Sequence, residues 1–208
     1  MKPISVIFIV AKYPATYGHT SVINNLCNGL NELGHKTAIG AFSFDDDPPK
    51  GIEKVVLKKN ELLRSGVASL KYDIIHPHQA RVLYYLLFKK PEKPIVFHYH
   101  AASNIIQELN LKSSMKLFKK RISKFISVSE KASHHLEEWA GKCDDVVIYN
   151  GVNTKFFHPD LDQPYRKGTP QLLFVSVLRK YKKTADLIGV MPELLKTYPK
   201  AHLQIVGN

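Results

Sequence analysis

Two kinds of apolar pattern alternate along most of this chain, and their alternation limits the folds that it can adopt. Residues 4–10 form a short run rich in β-branched residues that is apolar on both faces, as is typical of a strand buried inside a parallel sheet. Apolar residues then recur at helical spacing over 22–33, Gly34 ends that helix, and residues 36–42 are the next strand. Repetition of this βαβ pattern predicts an α/β fold with a doubly wound parallel sheet, in which ligands bind beyond the carboxyl ends of the strands.

The pattern changes near residue 150. Residues 151–170 lack apolar periodicity and are rich in Asn, Gly, Asp, Pro and Lys, which is typical of a linker after a first domain over 1–150. Beyond it, residues 172–177 and 203–206 are predicted strands around a helix over 184–198 that is bent at Pro192. Two strands and one helix are too few to bury a core of their own. We therefore expect residues 171–208 to be the first βαβ unit of a truncated second domain. Its uncovered strand edges and apolar face favour dimerisation, domain swapping or packing onto the first domain.

Composition narrows the function without fixing it. The 30 lysine and arginine residues against 18 acidic ones give a formal net charge of +12, which suits a nucleic acid, an anionic membrane or a phosphorylated small molecule as partner. The hydrophobic fraction of 44% excludes wholesale disorder, and no apolar run approaches the roughly 18 residues of a membrane-spanning helix. Cys27 and Cys143 lie far apart without a CxxC spacing, which predicts free thiols and a cytoplasmic protein.

The loop after the first strand joins a strand end to a helix N-terminus, where backbone N–H groups and the helix dipole favour an anion. Gly18 would let the backbone approach such a ligand closely. A dinucleotide fingerprint needs three glycines in the pattern G-x-G-x-x-G, and only one of them is present. A nicotinamide or flavin enzyme is therefore disfavoured, while a turn that simply requires Gly18 stays an open alternative.

Histidines occur in pairs near the predicted strand ends, His76 with His78 and His98 with His100. Residues i and i+2 of a strand share a face, so either pair has the geometry to chelate a metal. No cysteine or carboxylate stands beside them at zinc-site spacing, and we therefore predict no metal site. A ring N–H of His98 or His100 is better suited to a hydrogen bond with a sugar hydroxyl or a phosphate oxygen, with packing alone the alternative for His98.

A basic segment lies between residues 112 and 124. Its cations, with no acid among them, are Lys112, Lys116, Lys119, Lys120, Arg121 and Lys124. The apolar residues between them are spaced as on one face of a helix over 113–123. Two interpretations are open: a helix on the surface of an anionic membrane, or a surface helix whose apolar face belongs to the core. Nucleic acid is disfavoured because the chain has no zinc-finger, RRM or KH signature.

Five sequence motifs follow one another along nearly the whole chain. They are YG with GHKT at 17–18 and 34–37, YDIIHPH at 72–78, VFHYHA at 96–101, FISVSE at 125–130 and VIYNGVNTKFFHP at 147–159. In this order they resemble the motifs of the family 4 glycosyltransferases, and the last, similar to the family's vipNGVDtxxFxP, is the most specific. The resemblance implies the GT-B architecture, in which two Rossmann-like domains face each other.

The resemblance also implies an activity. Such an enzyme transfers a sugar from a nucleotide-diphosphate sugar to an acceptor, with retention of configuration and without a cofactor or catalytic metal. Its first domain would bind a glycan or lipid-linked acceptor, and its second domain the donor. A lipid-linked acceptor would place the protein at the inner face of the membrane, with the segment 112–124 on the anionic surface.

The motifs assign roles to single residues by position. His100 would act in catalysis by contacting the donor sugar near the reacting centre, and Gly18 would approach the donor phosphates. The residues that would line the cleft on the acceptor side are Tyr17, His78, Ser129, Asn150 and Gly151.

The chain also departs from the family pattern. Val177 stands where the family has an arginine that clamps the diphosphate, although Lys182 keeps the lysine position and Arg179 lies two residues on, on the same face of an extended strand. Ala101 replaces the glycine of the family's HG, and the E-x7-E element that binds the donor sugar has no counterpart. We therefore expect the 208-residue chain to be incomplete as a transferase. The alternative is a non-catalytic binding protein or subunit that holds a glycan or lipid acceptor.

Overall fold

The structure, a computed structural model, describes residues 2–15, 18–101, 104–158 and 168–207. The chain divides into two compact units, residues 1–154 and residues 155–208. The strands of the first unit are β1 (Ser5–Tyr13), β2 (Lys36–Phe44), β3 (Glu53–Val56), β4 (Ile74–Pro77), β5 (Val96–Tyr99), β6 (Lys124–Ser127) and β7 (Asp145–Val147). Its α-helices are α1 (His19–Glu32), α2 (Lys59–Ser65), α3 (Leu83–Leu86), α4 (Ile105–Phe118) and α5 (Glu130–Ala140).

β1 lies inside the sheet of the first unit, since it pairs in parallel with β2 on one side and with β4 on the other. The strand order is β3-β2-β1-β4, and a parallel bridge between Ile75 and Ile95 continues it into β5-β6-β7. This order reverses between β1 and β4, as it does in Rossmann folds that bind a nucleotide at the reversal. The predicted α/β fold with a doubly wound, Rossmann-like parallel sheet is confirmed.

β1 is buried on both faces because helices cover both sides of the sheet. Phe8 shares one core cluster with Ile23 of α1. Its neighbour Ile7 shares the other cluster with Leu86 of α3 and Leu111 of α4. Full burial of such a side chain contributes about 1.5–3 kcal/mol to the free energy of folding. The buried residues of a strand therefore hold it in place, and with it the residues at its end.

The helical segments after β3 and β4 are short. α2 ends where Gly66 takes a positive φ of 60°, and the chain continues as the 3-10 turn Gly66–Ser69. The segment after β4 consists of a 3-10 turn, Ala80–Val82, followed by α3.

The helix predicted over 113–123 begins and ends earlier than predicted. α4 starts after Asn104, whose side-chain oxygen accepts a hydrogen bond from the N–H of Gln107 and satisfies a donor of the first turn. It ends at Phe118, and Lys124 already belongs to β6. The basic segment 112–124 is therefore not a single helix, which corrects the prediction.

The second unit contains β8 (Gln171–Val175), α6 (Thr184–Thr197) and β9 (His202–Val206), with β8 and β9 paired in parallel. Pro192 lies inside α6. Side chains along β8 alternate between half-buried and exposed positions, so Leu173 and Val175 keep 62% and 66% of their surface exposed. Among the described residues of this unit, no side chain is buried as completely as those of β1.

Candidate active site

Predicted site residues from distant parts of the sequence lie at one edge of the first unit. Gly18 follows β1, His78 follows β4 and His100 follows β5. β1 and β4 pair directly and flank the point at which the strand order reverses. Because parallel strands end at the same edge of a sheet, the fold brings these three positions to the place where doubly wound proteins bind ligands.

Gly18 stands at the N-cap of α1 with φ +80°, a left-handed conformation that disfavours side chains. A Cβ atom built at this position would meet no other atom within 4 Å. Backbone conformation, not crowding, is therefore what requires glycine here. The geometry serves the tight turn and also leaves space for a ligand at the N-terminus of α1, so it fits both interpretations of the sequence.

Five imidazole rings form a stack at this edge: His19, His76, His78, His98 and His100. Neighbouring rings have their centroids 4.3 Å apart at the His19–His100 contact and 5.3 Å apart at the His76–His98 contact. Nδ1 of His78 and Nε2 of His100 lie 2.7 Å apart, so one of these rings donates a hydrogen bond to the other. We call these five rings the imidazole stack.

Burial keeps the imidazole stack neutral at pH 7. Loss of solvation is the main cause that lowers the pKa of His76 to about 3, of His98 to about 4 and of His100 to about 2. The same cause lowers the pKa of His78 and His19. A neutral ring has one N–H donor and one nitrogen lone pair. It can therefore either donate a hydrogen bond to a sugar hydroxyl or accept one from it.

Several ring nitrogens of the stack have no hydrogen-bond partner in the described part of the chain. They are Nδ1 of His19, Nε2 of His76, Nε2 of His78 and both ring nitrogens of His98. One nitrogen from each of His76, His78 and His98 lies within 4.8 Å of the others. Tetrahedral zinc, with bonds of about 2.0–2.1 Å, brings its ligand nitrogens to about 3.4 Å from one another. Three nitrogens within 4.8 Å of one another fit a group of metal ligands as well as a set of packed neutral rings, and the absence of a metal stays a prediction.

The imidazole stack forms one wall of a cavity of about 380 Å³, which we call the imidazole cavity. His19, His78 and His100 line it, together with polar side chains that precede or belong to α3 and α4. These are Gln79, Arg81, Asn104, Gln107 and Asn110. Converging polar groups between aromatic and apolar walls are typical of a small-molecule site.

The remaining residues predicted on the acceptor side have other surroundings. Ser129 is the N-cap of α5, where its hydroxyl accepts a hydrogen bond of 3.1 Å from the N–H of Ala132, so it stabilises the helix start. Asn150 and Gly151 follow β7 and are exposed. Tyr17 lies outside the described residues.

The cations predicted to bind donor phosphates belong to the second unit. Arg179 precedes the 3-10 turn Lys180–Lys182, Lys182 ends it, and both side chains are exposed. Lys183 follows with φ +57°, a left-handed conformation that favours glycine. The turn therefore presents positive charge to solvent.

Ala101, directly after His100, has φ +73°. Glycine adopts this conformation freely, whereas any residue with a Cβ atom does so at a cost of about 1–2 kcal/mol. The backbone after His100 therefore keeps a glycine conformation although the glycine of the family's HG is missing.

Three cations of the basic segment hold the first unit together. Lys119 donates to the carbonyl oxygens at the end of α5, Arg121 donates to the carbonyl oxygen of Leu87, and Lys124 pairs with Asp144 at 2.9 Å. The apolar residues of the segment face the core, as the second interpretation predicts. They are Leu111, Met115, Phe118, Ile122 and Phe125.

The other three cations, Lys112, Lys116 and Lys120, are exposed. Leu109 and Leu117 of the same helix keep 55% and 60% of their surface exposed. The described residues contain no helix with the length and apolar character needed to cross a membrane. An exposed basic and apolar surface is thus present on and just after α4, although the segment is not one helix.

The sequence motifs do not single out His19 or Arg81, yet both line the imidazole cavity. Gln79 positions Arg81, since its Oε1 accepts hydrogen bonds from the N–H of Ala11 at 3.0 Å and from Nε of Arg81 at 3.4 Å. The signal available in the sequence is position alone, because both residues come shortly after a strand that ends at this edge.

Solved structures share this fold. HepE from Anabaena, in complex with UDP and glucose, aligns with a TM-score of 0.72 and 15% identity over 97% of this chain and 60% of its own. Sucrose-phosphate synthase from Thermosynechococcus elongatus aligns with a TM-score of 0.71 and 15% identity over 99% of this chain and 62% of its own. WaaG, a glycosyltransferase involved in lipopolysaccharide biosynthesis, has a TM-score of 0.55 and 12% identity over 98% and 70%. The chain thus spans about 60% of the length of the first two.

No curated protein matches the sequence significantly. The sequence profile described as Glycosyltransferase Family 4 matches residues 17–156, more than half of the chain, and this stretch contains the whole imidazole stack. The resemblance inferred from the five motifs is therefore confirmed, and the chain belongs to Glycosyltransferase Family 4.

Proposed function

We propose that this chain takes part in carbohydrate biosynthesis by moving a sugar from a nucleotide-diphosphate sugar to a glycan or lipid-linked acceptor. The observation that carries the proposal is the imidazole cavity, which lies at the reversal of the strand order and is walled by the neutral rings of His19, His78 and His100. Membership of Glycosyltransferase Family 4 supports it. So does the fold shared with HepE, whose structure contains UDP and glucose.

In the proposed reaction His100 binds a hydroxyl of the donor sugar, and its hydrogen bond with His78 sets the orientation of the ring. Gly18 admits the donor diphosphate to the N-terminus of α1, where N–H groups and the helix dipole stabilise negative charge. Arg179 and Lys182 add positive charge on the donor side. Positioning and hydrogen bonds then supply the rate acceleration, without a cofactor or metal.

The bond changes in this proposal balance within the two substrates. The acceptor oxygen attacks the anomeric carbon from the face that the nucleoside diphosphate leaves, so the configuration is retained. The bond between the anomeric carbon and the diphosphate oxygen breaks as the new glycosidic bond forms. The acceptor's proton passes to the departing diphosphate, and no protein base is needed.

The test uses the complete translation product of the gene and a panel of nucleotide sugars that carry a label in the sugar. We expect a labelled product from one donor in the presence of a glycan or lipid extract, and NMR of its anomeric proton reports whether the configuration is retained. Release of nucleoside diphosphate without any labelled product would contradict transfer. Binding of an acceptor with no turnover of any donor would favour the non-catalytic alternative.

We also propose a peripheral contact with anionic membranes through the exposed surface of α4 and the turn after it. Lys112, Lys116 and Lys120 would attract the lipid headgroups while Leu109 and Leu117 enter the interface. Each lysine near such a surface contributes about 1 kcal/mol, so the variant Lys112→Gln/Lys116→Gln should bind anionic vesicles roughly 30-fold more weakly. Co-sedimentation that does not depend on the anionic lipid content would contradict this contact.

A further inference from the structure

A second, larger cleft opens on the same edge of the first unit, beyond the carboxyl ends of β1, β2 and β3. Its volume is about 1370 Å³, which exceeds the roughly 300–1,000 Å³ of typical small-ligand pockets. We call it the basic cleft, because the cations along it are Lys12, Lys58, Lys59, Arg64 and Arg81.

The positive charge of the basic cleft is largely uncompensated. Lys12 pairs with Asp45 at 2.5 Å. The other four cations make no ion pair with a carboxylate in the described part of the chain. Glu61 is the one acidic residue among the described residues that line the cleft. A concave surface of this sign concentrates anions and holds them by charge-assisted hydrogen bonds.

Aromatic rings lie directly beneath one of these cations. Nζ of Lys59 is 5.4 Å from the ring centroid of Phe42 and 5.5 Å from that of Tyr85. The two rings meet edge to face with their centroids 5.0 Å apart. The rings hold the ammonium group by cation–π contact, which places it as a partner for an anion, and the parts of the rings that line the cleft beside it offer an apolar wall to a sugar. The combination suits a sugar that carries a charged substituent.

The basic cleft adjoins the imidazole cavity. Arg81 and Asn110 line both spaces. Gln79 holds Arg81 at this boundary by accepting a hydrogen bond from its Nε. Because two residues border both spaces, the spaces lie close enough to be neighbouring subsites for one extended ligand.

We infer that the basic cleft binds a phosphate group of the acceptor while the acceptor's reacting hydroxyl lies in the imidazole cavity. Lys58 and Arg64 bind the phosphate, Phe42 and Tyr85 contact the sugar, and Arg81 lies between the two ends. The role as acceptor rests on the proposed function, whereas the binding of a phosphorylated sugar in the cleft does not.

The test compares glucose 6-phosphate with glucose, titrated into the complete protein in the absence of any donor. Calorimetry gives the affinities, and amide NMR shifts report whether residues 58–64 are contacted. We expect glucose to bind at least tenfold more weakly than glucose 6-phosphate, a difference of about 1.4 kcal/mol. The variant Lys58→Gln/Arg64→Gln should lose a similar factor for glucose 6-phosphate, and its loss should shrink as salt screens the charges.

The matched control is Lys131→Gln/Lys142→Gln, which removes the same charge from exposed positions of the same unit but lines neither cavity. Its affinity for glucose 6-phosphate should stay within about twofold of the wild type. Equal binding by the Lys58→Gln/Arg64→Gln variant and the wild type overturns the inference. So does the absence of any binding of glucose 6-phosphate up to about 10 mM, a free energy weaker than roughly −3 kcal/mol.

A competition experiment distinguishes a phosphate on a lipid-linked acceptor from a phosphate on a water-soluble glycan. Displacement of glucose 6-phosphate by vesicles that contain phosphatidic acid supports the inference with a lipid-linked acceptor. Lack of displacement supports it with a water-soluble phosphorylated glycan. Failure of the proposed function is a separate result, because a protein that binds glucose 6-phosphate in the cleft yet transfers no sugar from any donor would contradict only the transferase assignment.

Discussion

The two units follow the same pattern of parallel strands and helices. Among the described residues, however, only those of the first unit include fully buried strand side chains. In β1, residues 6–10 are at most 4% exposed. In β8, Leu173 and Val175 keep 62% and 66% of their surface exposed, although the strand is equally apolar. The difference teaches that an apolar strand forms a core only where elements cover both of its faces. Among the described residues of the second unit α6 is the one α-helix, and none of its side chains is buried.

The predicted site residues of the two units differ in burial in the same way as their strands do. The imidazole stack stands on buried strand ends, and burial is what keeps its rings neutral. Arg179 and Lys182 stand on an exposed turn, where their positive charge is fully solvated. The first unit therefore has a site that is built before any ligand arrives.

Hydrogen exchange should show the largest contrast between the units. The amides of β1 open only with the core of the first unit, whereas those of β8 lie in a unit with no buried side chain among its described residues. We expect the exchange protection factors of β1 to exceed those of β8 by at least about 1,000-fold. The reason is that β1 exchanges through global unfolding, whereas β8 exchanges through local opening. Equal protection of the two strands, measured by mass spectrometry on the intact chain, would contradict the comparison.

Truncation of one leucine in each unit should give the next largest contrast. Leu86 is fully buried, so Leu86→Ala leaves a cavity and should lower the free energy of unfolding by about 2–5 kcal/mol. Leu173→Ala, the matched change at an exposed position, should stay within about 0.5 kcal/mol. Urea unfolding followed by circular dichroism measures both values. A large loss for Leu173→Ala would show that β8 is covered in solution.

Acid should destabilise the first unit through its imidazole stack. The pKa values of His76 and His98 are lowered to about 3 and about 4 in the fold. Between pH 6.5 and 4 the unfolded chain therefore binds more protons than the folded one. The free energy of unfolding is highest above about pH 6.5. Below that pH it falls by about 1.4 kcal/mol per pH unit for each ring that the fold keeps neutral.

Urea unfolding at a series of pH values checks this dependence. The variant His98→Gln should reduce the slope by about 1.4 kcal/mol per pH unit. A free energy of unfolding that is constant from pH 7 to pH 5 in the wild type would mean that the rings are not held neutral by the fold.

The smallest expected effect concerns backbone strain. Ala101 in the first unit and Lys183 in the second are the non-glycine residues with positive φ in the described chain. Relief of about 1–2 kcal/mol of strain in Ala101→Gly is partly offset by about 0.4–1 kcal/mol of chain entropy, so the free energy of unfolding should rise by up to about 1.6 kcal/mol. Lys183→Gly should leave the cooperative unfolding of the first unit unchanged. A loss of stability in Ala101→Gly contradicts the strained conformation.

The positions and the ends of the strands are the features that the sequence predicts well. The apolar runs locate β1 and β2, and the motifs locate His78 and His100 after their strands, because burial on both faces leaves a local signal in every strand. The start of α4 leaves a weaker signal, since it depends on the cap at Asn104 and its first turns carry exposed isoleucines.

The assembly of the site depends on contacts that no local pattern records. Each histidine pair marks one strand face, but only the order of β4 next to β5 brings His76 and His78 against His98. His19 and Arg81 join them through the turn after β1 and the turn after β4. The sequences of β1 and β8 are similarly apolar, yet their side chains differ in burial. The difference therefore depends on the elements that pack against each strand and not on the strand sequence itself.

The most direct test of the account is the turnover of a nucleotide sugar by His100→Ala beside the wild type, with His134→Ala as the matched control. Loss of one oriented hydrogen-bonding group at the reacting centre should lower kcat by about 100- to 1,000-fold, while the control keeps the wild-type rate. Circular dichroism and the unfolding midpoint establish that both variants fold. A His100→Ala variant that folds and turns over as fast as the wild type would contradict the assignment of the imidazole cavity as the active site.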